Sequence, residues 1–115
     1  MLKPGEIYWA DFRDAGPHPV VIVSREELNR GRWAVAVMIT SARFAVRSGW
    51  PQCIPLRSGQ FGLTKDCVAQ ADTISAIPFD EIDVRTGALG VLDAETMREL
   101  IRAIGHVIAS DREPQ

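Results

Sequence analysis

His18 and Thr40 are the two side chains whose types and placement could do chemistry. His18 stands in Gly16-Pro17-His18-Pro19, just ahead of the apolar run Val20-Val21-Ile22-Val23-Ser24, and Thr40-Ser41 closes a second apolar run, Trp33 to Ile39. An unperturbed imidazole titrates near pH 6.5, roughly, so it can take or give a proton close to neutrality. Both apolar runs are rich in β-branched residues and too short for helices, so each reads as a strand buried on both faces. Antiparallel pairing through the charged connector Arg25 to Arg32 brings their outer ends together and sets His18 near Thr40. A proton-transfer group beside a hydroxyl is a candidate site. The structural alternatives are a histidine that bonds its own loop and an ordinary strand-end hydroxyl.

The flanking chain must hold those strands. Glu6 to Phe12 alternates, with Ile7 and Trp9 on one face and Tyr8, Ala10 and Phe12 on the other, and reads as a first strand. Asp14, Gly16 and Pro17 make Arg13 to Pro17 a loop, which puts His18 at a loop-to-strand junction with extended backbone before Pro19. Ser24 is placed to cap a helical turn over Arg25 to Arg30 that Gly31 ends. Ala42 to Pro51 has no sustained period and reads as a long basic loop. Cys53 to Arg57 reads as a strand in which Pro55 marks an edge or a bulge. Ser58 to Gly62 is a turn, and Lys65 to Ala71 with Asp72 to Ile77 form two strands or one long bent strand. Phe79 to Leu92 is irregular, with room for a brief strand. The last element is an amphipathic helix: Asp93 is its N-cap, Leu92 and Met97 match a hydrophobic staple, and Met97, Leu100, Ile101, Ile104, Val107 and Ile108 recur at helical spacing. His106 falls on its opposite, solvent face.

A chain of 115 residues has the length for one domain, 1–115, around one core. Its 46% hydrophobic and 24% charged content excludes disordered and collagen-like classes. No apolar stretch reaches the roughly eighteen residues of a membrane span, and Met1 to Glu6 lacks a signal peptide's apolar segment, so a cytoplasmic location is expected. Cys53 and Cys67 match neither a metal spacing nor a disulfide framework and read as buried free thiols. The net charge of -2 conceals a division. Residues 25–65 carry seven basic side chains against two acidic ones, and residues 66–115 carry four against ten. The basic half could hold phosphates. Arg43 and Arg47 beside Phe44 and Trp50 suit a single nucleic-acid strand, with guanidiniums on phosphates and rings on bases. The alternatives are a solvated loop surface and rings that fold back onto the core. The chain has no glycine-rich phosphate loop and no carboxylate-rich metal cluster.

The order of motifs is itself informative. Pro4-Gly5-Glu6-Ile7-Tyr8-Trp9-Ala10-Asp11-Phe12, Val20-Val21-Ile22-Val23-Ser24, Ile39-Thr40-Ser41, Gly62-Leu63-Thr64-Lys65-Asp66-Cys67-Val68-Ala69 and Asp93-Ala94-Glu95 follow one another across nearly the whole chain. This order resembles the MazF/PemK family. The resemblance implies a mainly β (β+α) fold, an SH3-like small β-barrel of about five to seven strands with a C-terminal amphipathic helix. It further implies the toxin of a type II toxin-antitoxin system. Such a toxin is usually a homodimer, is opposed by a cognate antitoxin protein, and cuts single-stranded mRNA at short sequences without a metal or other cofactor.

By the same resemblance, the family's Thr-Ser pair falls on Thr40 and Ser41, and its arginine before the second-strand proline falls on His18, a departure. The loop Arg13 to Pro17 is a second departure, being shorter than the family's and without its glutamate-containing segment. Metal-free RNA cleavage uses the adjacent 2'-hydroxyl as nucleophile, so a site must remove that proton, protonate the leaving 5'-oxygen and stabilise charge on the phosphate. His18 is the candidate for proton transfer and Thr40 for a bond to phosphate, with Ser41, Arg25, Arg43, Arg47 and Arg57 as RNA-binding candidates. Two other readings keep the barrel without the chemistry: a toxin that inhibits a protein target such as DNA gyrase, or a degenerate member that binds only its antitoxin. The polar ending Ala109 to Gln115 favours the nuclease over the first of these.

Overall fold

The structure, a computed structural model, describes residues 1–109. Alternation along Glu6–Asp11 makes strand β1, and the two apolar runs become β2 (Pro17–Ile22) and β3 (Trp33–Thr40). A single helical turn, α1 (Phe44–Arg47), leads to β4 (Cys53–Leu56), β5 (Cys67–Pro78), the short β6 (Gly90–Val91) and helix α2 (Ala94–Val107). The strands form one antiparallel sheet in the order β4-β5-β3-β2-β1-β6, curled into a half-barrel with α2 against it. Six strands fall within the expected five to seven.

The curl gives the central strands two buried faces. Val20, Val21 and Ile22 are all fully buried. Val21 joins Ile7, Val37 and Ile39 under Leu100 and Ile104 of α2. Val20 and Ile22 face the other way, toward Tyr8, Ala36, Ile77 and Ile82. Truncating a side chain such as Leu100 would cost about 2–5 kcal/mol, because neither layer can collapse freely into the gap.

Several sequence-based expectations are corrected by tertiary pairing. β2 begins at Pro17, because β1 pairs along its length to Asp11↔Pro17; His18 therefore lies inside a ladder, opposite Ala10, and not at a loop junction. Ser24 caps no helix. Its side chain is buried against Asn29 and the Val35 backbone, and Asn29 in turn donates to the Leu2 carbonyl. The connector's helical turn narrows to a 3-10 turn over Glu26–Leu28 with no side-chain cap.

The choice at β5 resolves to one long strand. Its register against β3 shifts between Ala36↔Ser75 and Met38↔Gln70, and the Thr73 hydroxyl fills the break, accepting from Met38 N at 2.9 Å and donating to Gln70 O at 2.7 Å. Pro55 lies in β4, the strand at the sheet's edge, where its missing N–H is tolerated. Asp93 caps α2 as expected, accepting from Thr96 N at 2.8 Å. Ile101 and Ile108 are 49% and 63% exposed, however, because the helix packs through the narrower stripe Leu100, Ala103 and Ile104.

Candidate functional site

β2 and β3 are neighbours, paired Val20↔Met38, Val21↔Val37 and Ile22↔Ala36. The same register carried two residues outward sets His18 level with Thr40, beyond the last recorded pair. Alternation puts both on the Val20 side of the sheet, while Pro19, Ile39 and Ser41 point to the α2 side.

His18 is half buried. Its Nε2 lies 3.2 Å from the Ala15 carbonyl, and its ring meets Phe12 edge-on with centroids 6.1 Å apart. A carbonyl can only accept, so Nε2 carries the proton, and Nδ1 is the ring atom left to exchange one. Thr40 is buried, and its Oγ1 accepts from Ala42 N at 3.2 Å, which leaves its O–H free to donate elsewhere.

A cavity of about 430 Å³ opens beside this strand end. His18 and Ser41 line it, Thr40 does not, and Trp9, Thr64, Lys65 and Cys67 complete much of the wall. Lys65 and Thr64 arrive from a distant part of the chain through a tight turn. Phe61 and Gly62 both have positive φ, 53° and 78°, and Gly62 packs so closely on Leu89 that a Cβ there would collide with the Leu89 carbonyl. Leu89 is itself tied to β1 by a 2.7 Å bond from its N–H to the Ile7 carbonyl. The turn thus carries Lys65 to the strand end where His18 and Ser41 are. Sequence reasoning counted Lys65 only as bulk charge; the signal that could have found it is its place directly after the turn in Gly62-Leu63-Thr64-Lys65.

The four arginines do not converge on this cavity. Arg25 is exposed past the opposite end of β2, roughly 20 Å along the strand from His18. Arg43 is exposed, in a left-handed conformation before α1. Arg47 donates to Gln70 Oε1 at 3.2 Å and lies 5.9 Å over the Trp50 ring, with its Nε buried. Arg57 sits 4.9 Å over the Phe44 ring and pairs with Asp66 at 3.7 Å. Phe44 and Trp50 are half buried and lie under these arginines. Cys53 and Cys67 are buried and free. Burial, with Asp66 nearby, pushes the Cys67 thiol up to about 11, so it lines the cavity as a neutral group.

The cavity thus gathers an imidazole, two hydroxyls and one ammonium group at the rim of a small half-barrel. Residues 3–108 match the model of the PemK-like, MazF-like toxin of type II toxin-antitoxin systems, and the chain belongs to that family. No curated protein matches it. Among solved structures, it is similar to an endoribonuclease in complex with its cognate antitoxin from a mycobacterial species, with 26% identity, 99% of this chain and 100% of that chain covered, and a TM-score of 0.78. The Mycobacterium tuberculosis toxin MazF-mt6 shares the fold at 23% identity over 90% of this chain and 96% of that one, with a TM-score of 0.76. So does the MazE-MazF complex of Deinococcus radiodurans, at 20% identity, 93% and 94% coverage and a TM-score of 0.71.

Proposed function

We propose that this toxin is a metal-independent, sequence-specific endoribonuclease that cuts single-stranded mRNA by attack of the RNA's own 2'-hydroxyl. The observation that carries the reading is the cavity in which His18, Ser41 and Lys65 meet on a chain of the MazF family. In this reading His18 exchanges protons through Nδ1, its Nε2–H being anchored on Ala15. Thr40, which faces the Val20 side with His18 and does not line the cavity, donates its hydroxyl proton to a phosphate oxygen at the strand end, its lone pair being engaged by Ala42. Ser41 and Lys65 hold the phosphate. Fixed donors and a cation at the developing charge lower the barrier in a partly dry site.

The same reading makes the protein a homodimer opposed by a cognate antitoxin; among the structures it resembles, one is an endoribonuclease in complex with its cognate antitoxin and another a MazE-MazF complex. A twofold assembly brings the same surface of each copy to the interface. Sedimentation of the purified toxin at micromolar concentration should give the dimer mass.

Incubation of the purified protein with a long RNA in EDTA, followed by mapping of the ends, tests the chemistry. Cleavage at a short recurring sequence is expected, leaving a 2',3'-cyclic phosphate and a 5'-hydroxyl. Intact RNA under all conditions, with binding to the product of a neighbouring reading frame retained, would replace the nuclease with a toxin that acts by binding alone.

A further inference from the structure

The exposed indole of Trp9 lines two neighbouring cavities. Ile7, two residues earlier on the same face of β1, is fully buried, whereas Trp9 is 41% exposed. The difference follows from β6, which is so short that it pairs only with Glu6 and Ile7 and ends before it can cover Trp9. The backbone beneath the indole is nevertheless held on both sides, by pairing with Pro19 and by the Asp83 N–H donating to the Trp9 carbonyl at 2.8 Å. A large ring on a fixed strand with much of its surface in water is a preorganised platform, since stacking on it orders nothing further.

Trp9 divides two cavities of opposite charge. On one side lies the space of about 430 Å³ shared with His18, Ser41 and Lys65. On the other, a space of about 610 Å³ is lined by Asp11, Asp80, Glu81 and Asp83 against Arg85 alone. A polyanion crossing this ridge must keep its phosphates on the Lys65 side, because the carboxylates repel them, and only an uncharged base can lie over the ring. Trp33 is more exposed, at 54%, but it begins β3, roughly 20 Å along the strand from Thr40, and pairs with Pro78. Exposure alone does not distinguish Trp9; its position between the cation and the carboxylates does.

We infer that Trp9 is the stacking platform for one nucleotide base of the RNA, next to the phosphate held at Lys65. The inference rests on the RNA reading of the cavity and adds to it the residue that receives a base. Base-aromatic stacking is tolerant of sequence because every base has a π face, so Trp9 contributes grip and orientation to whatever sequence is read elsewhere.

The test uses the full chain with Trp33→Phe and Trp50→Phe, so that Trp9 is the sole indole, titrated with a short mixed-sequence single-stranded 2'-fluoro RNA, which lacks the nucleophile and is not cut. Anisotropy of a label on the RNA reports binding, and indole fluorescence reports stacking. Quenching of Trp9 with the same midpoint as the anisotropy change is expected. In the otherwise native chain, Trp9→Ala should weaken binding about tenfold or more, and Trp9→Phe should recover most of it. Binding by anisotropy with unaltered Trp9 fluorescence, or equal affinity for wild type and Trp9→Ala, overturns the inference while leaving the RNA reading in place. Absence of any RNA binding overturns both. The fluorescence arm remains decisive even where Trp9→Ala fails to fold.

Discussion

The Nε2 of His18 lies 3.2 Å from the carbonyl of Ala15, in the turn that joins the first two strands. That contact fixes the tautomer and orients the ring from the short loop, so that Nδ1 is the ring nitrogen through which the proposed proton transfer would run. If the ring transfers a proton, His18→Ala should slow RNA cleavage roughly a hundredfold or more, the usual scale for general acid-base groups, while RNA binding persists. Thr40→Val removes the hydroxyl with little change in volume and should slow cleavage with the fold intact by circular dichroism. His18→Arg installs the arginine that the family resemblance implies for this position, and retained activity there would mark a shared site. Wild-type rates in His18→Ala would place the chemistry elsewhere.

Lys65 is the cation that tertiary structure brings into the cavity. Lys65→Ala should weaken single-stranded RNA binding across all sequences and reduce the slope of log affinity against log salt by about 0.7, the value for one lost phosphate contact on a single strand. Lys65→Arg should preserve that slope. A salt titration by anisotropy checks it, and an unchanged slope in Lys65→Ala would remove Lys65 from the phosphate.

Gly62 carries the turn that delivers Lys65. Its φ of 78° disfavours a side chain, and an added Cβ would also strike the Leu89 carbonyl. Gly62→Ala should therefore cost about 2–4 kcal/mol, from backbone strain and overpacking together. Gly87→Ala is the control, since Gly87 has a similar φ of 79° but open space around it; it should cost about 1–2 kcal/mol. Urea unfolding midpoints compare them. Equal losses would mean that the backbone contact with Leu89 yields easily and does not fix the turn.

Acid pH should loosen the start of α2. Bonding to Thr96, through its side chain first and its backbone N–H second, holds the Asp93 carboxyl below the usual carboxylate range. Because the folded state favours the ionised form, this contribution is present above the unfolded value of about 3.9 and is lost as pH falls through the lower folded value. Thermal midpoints of wild type and Asp93→Asn should differ most near neutrality and converge in acid. A gap that stays constant with pH would show that the charge at the cap is immaterial.

Much of the scaffold was legible in the sequence because its signals are local. Period-two alternation in Glu6–Asp11, β-branched runs in β2 and β3, Pro55 at an edge and the Asp93 cap each depend on residues a few positions apart. The neighbouring of β2 and β3 also followed, since two adjacent apolar runs joined by a short connector have few other ways to be buried. What only the tertiary structure decided depends on partners far along the chain. β2 begins at Pro17 because β1 extends to pair with it. Arg47 is drawn against Trp50 and Gln70, and Arg57, still exposed, over Phe44 toward Asp66, because those partners are there to receive them. Ile101 is left half exposed because the sheet offers α2 only a narrow stripe. Lys65 joins His18 and Ser41 because backbone meets backbone at Gly62 and Leu89, a contact with no side-chain pattern to announce it.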